Sequence, residues 1–100
     1  LFSKTELNLI QTLDREYNIL IKNGHDIRLR SRVSGHDWII ITAYNDSRCE
    51  ILHRHSEKDP FHYQRGRFSS LSDACDYIKG HDYWYAKKHR KQEKSNMSRN

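Results

Sequence analysis

Apolar residues along this chain change their spacing twice. Leu7, Ile10, Leu13, Tyr17 and Leu20/Ile21 recur every three to four positions, which lines one face of a helix, and Ser3 followed by Glu6 has the form of a capping box at its start. Asn23-Gly24 tolerates the left-handed geometry of a helix C-cap, so the spacing predicts a helix over 4–22. From Ile27 the period drops to two. Ile27, Leu29 and Val33 alternate with Arg28, Arg30 and Arg32, the mark of a strand with one buried face. Ser34-Gly35-His36-Asp37 is turn material, and Trp38 to Tyr44 reads as a second strand rich in β-branched and aromatic residues. Asn45-Asp46-Ser47 turns the chain again into a third strand, Arg48 to His55, in which Cys49, Ile51 and His53 share a side.

The register of this meander follows from matching faces, because a slip of one residue exchanges the two sides of a strand. An odd first turn sets Ile39, Ile41 and Ala43 beside Ile27, Leu29 and Val33, with Cys49 and Ile51 completing an apolar side. The opposite side then collects Arg28, Arg30, Arg32, Trp38, Ile40, Thr42, Tyr44, Arg48, Glu50, Leu52 and Arg54. An even turn would instead set the arginines beside Ile39 and Ile41, which buries apolar surface less well. The odd register is therefore the expected one.

Beyond a polar loop holding the only proline, Phe61-His62-Tyr63 adds a short fourth strand at the edge. The spacing of helix positions then returns: Ser70 and Asp73 repeat the capping pattern ahead of Leu71, Ala74, Cys75 and Ile78. Gly80 either ends this second helix or bends it before Tyr83-Trp84-Tyr85. From Lys87 the sequence is basic and then polar, a helix fraying into a disordered tail by about residue 93. The expected architecture is α+β: a two-layer sandwich with both helices on one face of an antiparallel meander of three or four strands. Residues 1–86 form one domain, and 87–100 a basic tail that is partly helical or disordered.

Helix, three strands, helix is also the element order of the double-stranded-RNA-binding domain, which this chain resembles in that order alone. Where that family places lysines, at the start of its second helix, this chain has Ser70-Leu71-Ser72-Asp73-Ala74-Cys75-Asp76. No functional residue carries over.

Charge changes the picture through its distribution. The chain carries a formal +5, but residues 1 to 80 hold 12 Lys/Arg against 11 Asp/Glu, while residues 81 to 100 hold 6 against 2. A nearly neutral body thus bears a cationic end. Cys49 and Cys75 make neither a Cys-x-x-Cys pair nor a disulfide framework, so a cytoplasmic setting is expected, and no apolar run is long enough to span a bilayer.

These features point to a small binding module and not to an enzyme. Arginines bind phosphates and stack on bases, and aromatics on an open sheet give bases a platform. Arg28, Arg30, Arg32, Arg48 and Arg54 around Trp38 and Tyr44, with Lys87, Lys88, Arg90 and Lys91 as a flexible arm, make nucleic acid or a nucleoprotein the first expected partner. The alternative is a small protein-docking inhibitor or adaptor, of the kind a phage or mobile element carries, that blocks a nucleic-acid-processing enzyme. Trp, Tyr and Arg are the residues of interface hot spots as well. His53-x-His55, followed by His62, could gather zinc ligands, but in a chain of seven histidines the signal is weak. No metal, cofactor or catalytic residue is assigned.

Overall fold

A computed structural model describes residues 1–42 and 48–97, apart from the side chains of residues 65, 66 and 90–97. Ser3 opens the first helix, α1 (Lys4–Gln11), through the reciprocal bonds that its spacing to Glu6 implies. The Glu6 amide donates to Ser3 Oγ at 3.1 Å and the Ser3 amide to Glu6 Oε1 at 3.0 Å. This helix does not continue to residue 22. Thr12 caps it, a turn follows, and the chain enters an edge strand, β1 (Tyr17–Lys22). The correction has a local cause: Leu13 and Tyr17 are both buried and four apart, yet they flank a turn, and beyond them Ile19 and Ile21 bring the stiff β-branched side chains that favour a strand. Asn23-Gly24 accordingly makes a hairpin turn and not a helix cap. Asn23 Oδ1 accepts the amides of His25 and Asp26 at 2.9 and 2.8 Å.

Four further strands, β2 (Asp26–Ser31), β3 (Asp37–Thr42), β4 (Cys49–Arg54) and β5 (His62–Phe68), follow in an antiparallel meander whose spatial order is the chain order. The sheet thus has five strands where the pattern suggests three or four. Ser70 starts the last helix, α2 (Leu71–Met97), by accepting the Asp73 amide at 3.2 Å, and α2 passes through Gly80 and on through the basic segment. Both helices cover one face of the sheet. Ile10 of α1 and Leu71, Ala74, Cys75 and Ile78 of α2 share a single core with Ile27, Leu29, Ile40 and Ile51. The chain is an α+β two-layer sandwich.

One strand lies the other way up from expectation. The pairing Arg30↔Asp37 encloses an even number of residues, so Ile27 faces Ile40 and Leu29 faces Trp38, while Arg28 pairs with Ile39. Across the next hairpin Trp38 pairs with His53, Ile40 with Ile51 and Thr42 with Cys49. Only β3 is inverted; Ile27, Leu29, Cys49 and Ile51 lie on the core side as expected. Two interactions outweigh the apolar surface that Ile41 leaves outside, Ile39 on the same face being buried among its neighbours. Trp38, the largest apolar side chain of the strand, becomes fully buried with its indole N–H bonded to Asp82, and Asp37 comes between two arginines. No helix among the described residues is long and apolar enough to cross a membrane.

Candidate functional site

The uncovered face of the sheet is built by the register. Arg30, Asp37 and Arg54 are cross-strand partners on β2, β3 and β4, so they stand in one row. Arg30 Nε donates to Asp37 Oδ1 and Arg54 Nε to Asp37 Oδ2, each at 2.7 Å. Burial by itself would raise the Asp37 carboxyl, but the hydrogen bonds and charges of Arg30 and Arg54 outweigh it and hold the group below its ordinary value. Arg30 also meets Glu57 at 2.5 Å, and the Arg54 guanidinium lies 4.2 Å above the Phe61 ring. Arg28 pairs with Asp26 at 3.3 Å and Arg67 with Glu50 at 3.5 Å. Beside this charged row runs an apolar one, Ile39–Leu52–Tyr63, again set by pairing, with Ile41 adjoining it. Ile41 is 39% exposed and Tyr63 70%.

Several residues expected on this face are elsewhere. Trp38 is buried against Asp82 of α2, and Ile40 and Thr42 are buried on the same covered side, because of the inverted strand. Tyr44 lies outside the described residues. Arg32 follows β2 and is occupied with β1, donating twice to Asn18 Oδ1 at 3.0 and 2.7 Å. Arg48 is exposed just before β4. Lys87 and Lys88 are exposed on α2, which carries Arg90 and Lys91 further along, and the Lys88 ammonium lies 5.1 Å from the centre of the exposed Trp84 ring.

On the covered face, the same inversion assembles a cluster of histidines that spacing alone does not reveal. His36 ends the β2–β3 connection, His53 and His55 come from β4 and the residue after it, and His81 and Asp82 from α2. His36 Nδ1 and His53 Nε2 are 2.8 Å apart. Two imidazoles this close share one proton. His53 Nδ1 lies 3.1 Å from Gln64 Oε1, and Gln64 Nε2 in turn donates to Tyr77. That arrangement assigns a proton to His53 Nδ1, and therefore the shared proton to His36 Nδ1. Burial pushes His36 down to about 4, helped by the nearby His55 and His81, and burial likewise pushes His53 down to about 4. Both rings are neutral at neutral pH. The His55 ring stacks on His36 at 4.2 Å, and His53 stacks on Trp38 at 3.9 Å.

Asp82 anchors the cluster. Its carboxylate is buried and accepts from Tyr17 Oη at 2.5 Å, Ser34 Oγ at 2.7 Å and Trp38 Nε1 at 3.1 Å, with His36 Nδ1 4.0 Å away. It ties β1, the β2–β3 connection and β3 to α2. A cavity of about 270 Å³ opens beside the cluster, lined by His53, Arg54, His55, Asp59, Pro60, His62 and Gln64. His53-x-His55 was the visible part of this site. His36, His81 and Asp82 join it through the register of β3 and the docking of α2, two long-range features without a local sequence signal.

No known protein family, no curated protein and no solved structure matches this chain.

Proposed function

We propose that the chain is a non-enzymatic docking module whose uncovered sheet face binds another protein. The observation that carries this reading is the pairing of the arginines. Arg30 and Arg54 converge on Asp37, Arg30 meets Glu57, and Arg28 meets Asp26, so the face presents little free positive charge to a phosphate backbone. What it does present is the apolar surface of Ile41 and Tyr63, which are exposed, with Leu52 half-buried between them and framed by matched charges. A partner surface with its own apolar centre and a mixed polar rim is complementary to it. As an inhibitor or adaptor the module needs no other chemistry than occupation of that surface.

Ile41→Asp tests the proposal, because Ile41 is already part-exposed and its replacement leaves the core untouched. With tagged protein as bait in a lysate of the source cells, we expect a protein that wild type retains and Ile41→Asp loses. The purified pair should then reproduce the difference. Equal retention by both baits would remove this face as the docking surface.

A second reading is favoured by one observation on α2, where Lys88 lies over Trp84 and Lys87 is exposed beside it. A cationic, aromatic helix surface binds single-stranded nucleic acid through phosphate contacts and stacking. Fluorescence anisotropy with mixed-sequence RNA and DNA at two salt concentrations separates the two. Salt-sensitive binding abolished by joint Lys87→Ala and Lys88→Ala replacement supports the second reading, and binding abolished by Arg28→Ala with Arg54→Ala overturns the first.

A further inference from the structure

We propose that His36, His53 and His55 form a binding site for a divalent transition-metal ion of the zinc class. One ring nitrogen from each lies within 4.8 Å of the others, at the end of the sheet where β3 begins and β4 finishes. Neutral imidazole is the commonest protein ligand for such ions. Zinc bound at about 2.0–2.1 Å in a tetrahedron holds two ligand nitrogens roughly 3.3 Å apart. The 2.8 Å between His36 Nδ1 and His53 Nε2 therefore opens by about half an ångström to admit the ion. His55 now stacks flat on His36, and must turn so that a nitrogen points at the metal. Being exposed, it turns without disturbing the core.

Two independent features of the surroundings fit an ion and are otherwise unexplained. First, His36 is 1% exposed, yet its Nε2 has no hydrogen-bond partner. The proton now on Nδ1 can move to Nε2 without breaking any bond there, which frees Nδ1 as a ligand and keeps the proton count unchanged. Second, Asp82 is buried with three neutral donors, and His36, whose Nδ1 is 4.0 Å away, is an uncharged ring that does not balance it. A dication beside His36 supplies that balance. Three protein nitrogens leave a fourth position, as in the open class of zinc sites, and the adjoining cavity that His53 and His55 also line gives water or a small anion access to it.

The test uses the full chain, stripped with chelator and titrated with cobalt(II) and then zinc. We expect one equivalent of cobalt to develop the visible absorption of four-coordinate nitrogen ligation, zinc to displace it, and zinc to raise the melting temperature. His55→Ala removes an exposed ring and should leave the metal-free chain folded, with a cooperative melting transition, while weakening binding by about tenfold or more, since even an outer-shell partner is worth that much in zinc proteins. His25→Ala, on the β1–β2 hairpin, should bind as wild type does. The proposal is overturned if cobalt develops no such absorption, or if His55→Ala and wild type bind cobalt equally, which would place the metal at other histidines.

Discussion

Single residues hold this fold together across long sequence separations, and Asp82 is the chief of them. Its two oxygens receive the hydroxyls of Tyr17 and Ser34 and the indole N–H of Trp38, the Tyr17 and Trp38 bonds fully buried and the Ser34 bond partly so. Removing the acceptor strands several donors at once, whereas removing one donor leaves the others in place. In the presence of chelator, Asp82→Ala should therefore cost about 3–5 kcal/mol in urea unfolding, and Tyr17→Phe only about 1–2 kcal/mol. Equal losses would mean that the Tyr17 bond dominates and that the network is not shared. At this scale the sequence was legible only where partners are near. Ser3 with Glu6 and Ser70 with Asp73 could be read because both members of each pair lie within one turn. The burial of Trp38 has no local signal, because its partner stands 44 positions away.

At the scale of elements, alternation showed which residues share a strand face but not which face of β3 joins the core. Ile39, Ile40 and Ile41 are identical side chains, so their pattern cannot choose a register. The choice came from Trp38 and Asp37 at the head of the strand, through bonds to α2 and to two neighbouring arginines. Substitution distinguishes the two registers directly. Ile40→Ala should cost about 2–5 kcal/mol, the range for emptying a filled core position, while Ile41→Ala should stay within about 1 kcal/mol. Reversed values in thermal or urea unfolding would restore the odd register. β1 was illegible for a different reason: Leu7 to Tyr17 keeps a helical spacing through a turn, and only the β-branched Ile19 and Ile21 hinted at the change. The second helix, whose apolar positions have one consistent period from Leu71 to Ile78, was read with its start in place.

The molecule as a whole seals its two thiols between the layers. Cys49 on β4 and Cys75 on α2 are both buried and free. Burial pushes Cys49 up to about 11 and Cys75 up to about 12. Both values exceed the ordinary thiol value, so the unfolded chain loses these protons first as pH rises. The associated stability is complete below about pH 8.5 and declines from there towards pH 11–12, where the folded thiols also ionise. Urea unfolding at pH 7 and pH 10 should show this loss, and Cys49→Ala with Cys75→Ala should flatten it. A double variant that retains the full slope would assign the alkaline loss to other groups. The two-layer class and the shared helical face could be read from pattern, since burying an alternating sheet requires a second layer. The charged face could be read too, but its neutrality could not. Arg30, Asp37 and Arg54 are far apart in sequence and become a single row only when three strands are paired.

α2 is much longer than the core requires. Among the described residues, its buried positions end at Asp82, while the helix continues to Met97, a further stretch of about 20 Å at 1.5 Å per residue. The helix keeps contact with the body one turn further, where Tyr83 bonds to Glu16 and the Tyr85 ring lies 4.1 Å from that of His36, and Lys87, Lys88 and His89 beyond it are exposed. Substitution at Lys87 or Lys88 can therefore change the charge of this exposed helix surface while the histidines, the sheet face and the core stay fixed.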